Sequence, residues 1–124
     1  MRVARSLTAP AVAVVALGLL GCGSPEELLS DEELASADVM VVTEDMRYVE
    51  PPTQLAAGPT TIALMNDDGA PHDVTIEGPA GTVVEANRRS EALGSVTLEP
   101  GVYEVYCSVG GHRDAGMSFD LTVT

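Results

Sequence analysis

Residues Tyr106–Met117 read Y-C-S-V-G-G-H-R-D-A-G-M. Cys107, His112 and Met117 stand in it at equal intervals, with four residues between each and the next. The stretch arrives on a strand-like run, Val102–Cys107, and leaves on another, Met117–Thr124, with a glycine-rich loop between them. A thiolate, an imidazole and a thioether on one loop between two strands make a candidate soft-metal site. Together they favour copper over zinc, magnesium or calcium. His72, the other histidine of the chain, would complete a four-donor set.

Outward from this loop the pattern is all-β. From Val39 onward, short apolar and β-branched runs recur between Pro, Gly, Asn and Asp clusters. The candidate strands are Val39–Met46, Thr60–Asn66, His72–Glu77, Thr82–Ala86, Ser95–Glu99, Val102–Ser108 and Met117–Val123. Asn87–Leu93 reads as one or two helical turns. Seven short strands in one small domain predict an antiparallel sandwich or barrel. Side chains alternate across a strand, which ties this pattern to the loop. Met117, Phe119, Leu121 and Val123 share one face of the last run; Tyr103, Val105 and Cys107 share one face of the run before it. His72 opens a strand in which Val74 and Ile76 face the core, opposite Asp73, Thr75 and Glu77. Cys107, His72 and Met117 therefore each fall at a strand end on its core-facing side, and the loop carries His112 to the same rim.

The N-terminus reads differently. Two Arg in Met1–Ser6, an apolar run Ala9–Leu20 and then Leu19-Leu20-Gly21-Cys22 form a secretory signal ending in a lipobox. The apolar run is too short for a membrane span of about 20 residues. Residues 1–21 are thus expected to be cleaved, with Cys22 acylated so that lipid alone anchors the protein to a bacterial membrane, at the cell surface or in the periplasm. Residues 22–38 are acidic and rich in small residues, and are expected to be a flexible tether to a domain spanning 39–124. Ser24-Pro25-Glu26-Glu27 in it could start a short helix with Leu28, Leu29 and Leu34 as a weak apolar face. With Cys22 lipidated, Cys107 is the only remaining cysteine in an oxidising compartment, which favours a ligand role for it.

All 19 carboxylates lie after Cys22, against four Arg and no Lys, so the mature chain carries a formal net charge of −15. That charge argues against nucleic acid and anionic lipid as partners. It suits either solubility or docking to a basic redox protein, a cytochrome or an oxidase for example. Nothing in the sequence asks for more than a monomer.

The donor inventory is spare: two His and one Cys in the domain, all in this set, with Met117 beside them. Two imidazoles, one thiolate and a long thioether are the ligands of a blue-copper centre, which changes charge by one electron with little rearrangement. Zinc has little use for the Met and usually recruits a carboxylate or further Cys. A dinuclear copper site would need a second Cys in the loop, and Ser108-Val109-Gly110-Gly111 has none.

The segment Tyr103–Met117 resembles the copper loop of the cupredoxins, the plastocyanin/azurin family of type 1 blue copper proteins. Asn66–Val74, N-D-D-G-A-P-H-D-V, resembles the family's first-His segment, and Pro100-Gly101-Val102-Tyr103 the turn before its Cys strand. The resemblance implies a Greek-key β-sandwich of about seven to eight strands. It implies one type 1 copper, with His72, Cys107 and His112 equatorial and Met117 axial. It also implies one-electron carriage through an exposed His112, and no enzymatic activity, since catalytic copper would need histidines the chain does not have. A copper-delivery or storage protein using the same ligands is the alternative. The chain departs from the family in three places. The Cys107–His112 interval is azurin-like rather than plastocyanin-like, and the His72–Cys107 interval is short. Asp73 stands where the family often has Asn. The Asp73 amide is expected to support the thiolate as the Asn amide would, while its carboxylate lowers the reduction potential.

Overall fold

The computed structural model describes residues 28–124. The signal segment, the lipidation position Cys22 and the first residues of the expected tether lie outside the described residues. Residues 28–38 hold one five-residue helix, α1 (Asp31–Ala35), and then join the domain. Its N-cap is Ser30, which forms a capping box with Glu33, and three acidic residues occupy the first turn; the helix start expected at Ser24-Pro25-Glu26-Glu27 lies outside the described residues. Backbone bonds then fix the chain: Leu29 N–H donates to Glu91 Oε2 (2.8 Å), and Asp38 exchanges bonds with Thr61 (2.9 and 2.7 Å).

Nine strands follow: β1 (Val39–Glu44), β2 (Arg47–Val49), β3 (Gln54–Leu55), β4 (Gly58–Asn66), β5 (His72–Ile76), β6 (Gly81–Ala86), β7 (Ser90–Leu98), β8 (Gly101–Tyr106) and β9 (Ser118–Val123). They form a four-stranded sheet ordered β2-β1-β4-β7 and a five-stranded sheet ordered β3-β9-β8-β5-β6. The inward residues of each strand recur at period two, as a sandwich face requires. Val41 and Thr43 of β1 and Thr60, Ile62, Leu64 and Asn66 of β4 are buried from one sheet; Val74, Ile76, Val84, Val105, Leu121 and Val123 meet them from the other.

Most pairs are antiparallel, but β1 pairs with β4, and β3 with β9, in parallel. After the β1–β2 hairpin the chain crosses to the other sheet for β3 and returns as β4. A chain that crosses over can come back in its original direction. β2 and β3 are absent from the sequence reading, since three and two residues are too short to show a period. The expected helical turns at Asn87–Leu93 are instead a turn at Arg88–Arg89 and the first residues of β7. Ala92 and Leu93 favour helix locally, but nine registered pairs with β4 override that preference. Gly94 lies in this strand at a close crossing: a Cβ there would stand 2.2 Å from the Val83 carbonyl oxygen.

Candidate metal centre

The three donor-bearing ends meet at one pole of the sandwich. His72 is the first residue of β5, Cys107 follows β8, and Met117 precedes β9. The ladder runs one rung past β8 and β9, since Cys107 N–H donates to the Met117 carbonyl (3.1 Å). The intervening loop is wound by its own turns. His112 N–H donates to Val109 O (3.0 Å), Gly116 N–H to Arg113 O (3.0 Å) and Met117 N–H to His112 O (3.1 Å). Gly116 makes the last of these turns with φ +99°, which a side chain would strain.

His72 Nδ1, His112 Nδ1 and Cys107 Sγ form a triangle. Its edges are 3.2 Å between the nitrogens and 3.8 and 3.5 Å from sulfur to His72 and His112. His72 and Cys107 are wholly buried, while His112 is partly exposed. Met117 is wholly buried, with its backbone bonded to both Cys107 and His112. The expected four residues are thus at one pole, and the grouped donor atoms are those of His72, Cys107 and His112.

A ring of hydrogen bonds holds the triangle from outside. Asp73 N–H donates to Cys107 Sγ at 3.4 Å, so the amide expected to support the thiolate is in place. Burial pushes the thiol's pKa up; the Asp73 and Val109 amides oppose that, and the Asp73 charge adds to it. The face of β5 opposite Val74 and Ile76 is covered as well, with Asp73 and Thr75 both buried. The Asp73 carboxylate accepts from Ser108 N–H (2.9 Å), Ser108 Oγ (2.5 Å) and Thr75 Oγ1 (2.9 Å). It therefore ties the strand carrying His72 to the residue after Cys107. Tyr48 donates its hydroxyl to the Asp73 carbonyl (2.6 Å) and packs edge-on against Phe119.

Asp68 supports His72 from behind, its Oδ2 lying 2.7 Å from His72 Nε2. Partial burial pushes its carboxyl up, but the N–H groups of Met46, His72 and Asp45 outweigh this and hold it below the usual carboxylate range. On the other side of the loop, Arg113 is tied to its surroundings. Its guanidinium pairs with both oxygens of Glu104, lies 3.9 Å from Glu77 and stacks 3.9 Å over the Tyr106 ring. Asp68, Tyr48, Ser108 and the Arg113–Glu104 pair were not singled out as site supports from sequence. Asp68 lies in N-D-D-G, which signals a turn and hides the acceptor role.

The donor set can be tested against copper. The bond lengths of zinc sites, about 2.0–2.1 Å to nitrogen and about 2.3 Å to thiolate, serve as the size guide for such an ion and in a trigonal plane place donor atoms about 3.5–3.8 Å apart; size alone does not separate the two metals, and the donor types do. The observed edges lie near those values, and two imidazoles with one thiolate are the soft-to-intermediate donors copper takes. The residues present fit the ion.

The architecture is that of a cupredoxin β-sandwich, with a His-Cys-His group at its pole. The chain is similar to reduced auracyanin from the photosynthetic bacterium Roseiflexus castenholzii, with TM-score 0.56 and 14% identity over 69% of this chain and 95% of that one. It is similar to a single-residue variant of amicyanin, with TM-score 0.56 and 19% identity over 75% and 88% of the two chains. It is also similar to a purple cupredoxin from Nitrosopumilus maritimus, with TM-score 0.51 and 23% identity over 70% and 100%. No protein-family model and no curated protein matches the sequence.

Proposed function

We propose that the protein is a type 1 copper protein carrying single electrons between redox proteins outside the cytoplasm. The observation that carries this reading is the Nδ1–Nδ1–Sγ triangle of His72, His112 and Cys107. Those residues would hold the ion, with Met117 beside them as a fourth donor. Copper bound there supplies a Cu(II)/Cu(I) couple. The chain's own part is to keep the donors still: the triangle is anchored by strand ends, by the Asp73 amide and by the Asp68 carboxylate, so a change of charge meets little rearrangement. His112 carries electrons in and out, because its ring is the ligand that reaches the surface. Gly110, Gly111, Ala115 and Gly116 around it add little bulk and allow the close approach that tunnelling needs.

Both histidines of the chain are taken up by this one site, which supports carriage rather than catalysis. Acylated Cys22 and the residues after it tether the domain to the membrane. The net charge of −15 left by 19 carboxylates and four Arg selects a basic partner such as a cytochrome or an oxidase. Voltammetry of the copper-loaded protein tests the reading. A reversible one-electron couple is expected. A protein with no stable Cu(II) state, which surrenders Cu(I) to a chelator, would be a copper-delivery protein instead.

A further inference from the structure

His72 is wholly buried, and each of its ring nitrogens has a different neighbour. Nδ1 faces the triangle, while Nε2 lies 2.7 Å from Asp68 Oδ2. An ionised carboxylate only accepts, so the proton on the neutral ring belongs to Nε2 and the Nδ1 lone pair is left for the metal. The Asp68 side chain is itself 14% exposed and is held on two further sides. Asp45 N–H donates to its Oδ1 (2.8 Å) and Met46 N–H to its Oδ2 (3.0 Å). These two residues form the two-residue turn between β1 and β2, closed by the Glu44–Arg47 pair. Both have positive φ, +50° and +58°, and neither is glycine. Such a turn is favoured with Asn-Gly or Asp-Gly, and non-glycine residues at both positions persist only where the surroundings over-determine them. The over-determining group here is the Asp68 carboxylate, which collects both turn amides. Its own backbone is fixed in turn: Asp68 N–H donates to Asn66 Oδ1 (2.9 Å), and Arg89 N–H donates to Asp68 O (3.0 Å).

We propose that Asp68 is a positioning residue of this site: its carboxylate fixes His72 as the Nε2–H tautomer, with Nδ1 turned toward Cys107 and His112, and the β1–β2 turn braces that carboxylate from behind. The effect on metal affinity rests on the copper reading above; the tautomer does not. A carboxylate on the outer nitrogen of a ligand histidine orients the ring and raises its basicity, and losing such a partner typically costs about 10–100-fold in metal affinity.

The test begins with the metal-free wild-type protein. Long-range 1H–15N correlation spectra are expected to show neutral His72 protonated at Nε2 alone. In Asp68→Ala, a mixture of tautomers is expected, together with a Cu(I) affinity about 10–100-fold weaker by chelator competition. Proton on Nδ1 in the wild type would overturn the proposal, and so would an unchanged tautomer and affinity in a folded Asp68→Ala. Should that variant not fold, Asp68→Asn keeps the size and one acceptor oxygen but removes the charge; its Cu(I) affinity is expected to fall, and an unchanged affinity in it would overturn the proposal. Failure to bind copper, with His72 still protonated at Nε2, would overturn the electron-carrier reading and leave this assignment standing.

Discussion

Two aspartates frame His72, and they act on the site by different routes. Asp68 works through the ring nitrogen, as an acceptor. Asp73 works through its backbone, whose amide reaches Cys107 Sγ, and through a carboxylate buried among Ser108 and Thr75. Burial is the main influence that opposes ionisation of the thiol, and the nearby Asp73 charge acts in the same direction. By the same sign it favours the more positive state of a bound ion. Replacing Asp73 with Asn keeps the amide and one acceptor for Ser108 but removes the charge. The reduction potential of Asp73→Asn is therefore expected to rise by tens of millivolts, up to about 60 mV for a tenfold change in a one-electron equilibrium. A redox titration that shows no rise would contradict this role for the charge.

At the scale of elements, the site depends on strand ends being placed, and the strands depend on how closely the sheets approach. β7 passes β6 so tightly at Gly94 that a Cβ would meet the Val83 carbonyl oxygen at 2.2 Å and the Val84 Cβ at 2.7 Å. The backbone atom cannot swing aside as a side chain can. Gly94→Ala is expected to cost about 2–3 kcal/mol, the overpacking penalty less the small entropic gain of removing a glycine. Urea unfolding of the metal-free protein measures it; a neutral or stabilising result would contradict the close crossing. The sequence made the long strands legible because one of their faces is apolar at period two, and it placed Cys107, His72 and Met117 at strand ends for the same reason. Three pieces of strand escaped it. β2 and β3 are short edge strands whose pairing is decided by tertiary position, not by pattern. The start of β7 has helix-favouring residues that only its long pairing with β4 overrides. The supports around the site escaped for a related reason. Asp68 and Ser108 look like turn residues until the fold brings His72 and Asp73 to them.

Across the whole molecule, the dominant physical fact is charge. Asp114 and Asp120 are exposed near the site end of the chain, as are Glu44, Asp45 and Glu50 on and after β1. A domain this acidic steers basic partners toward it and repels acidic ones. The rate of electron exchange with a basic redox protein is expected to fall about tenfold or more as ionic strength is raised through the physiological range. Stopped-flow kinetics over a salt series reads this directly, and a flat profile would contradict electrostatic docking.

The central claim is that His72, Cys107 and His112 hold one copper with a thiolate ligand. The absorption spectrum of the Cu(II)-loaded protein, repeated on Cys107→Ser, tests it most directly. An intense visible thiolate-to-copper band in the wild type, lost in the variant, is the predicted result. A wild-type spectrum without that band, or a variant that keeps it, would contradict the account.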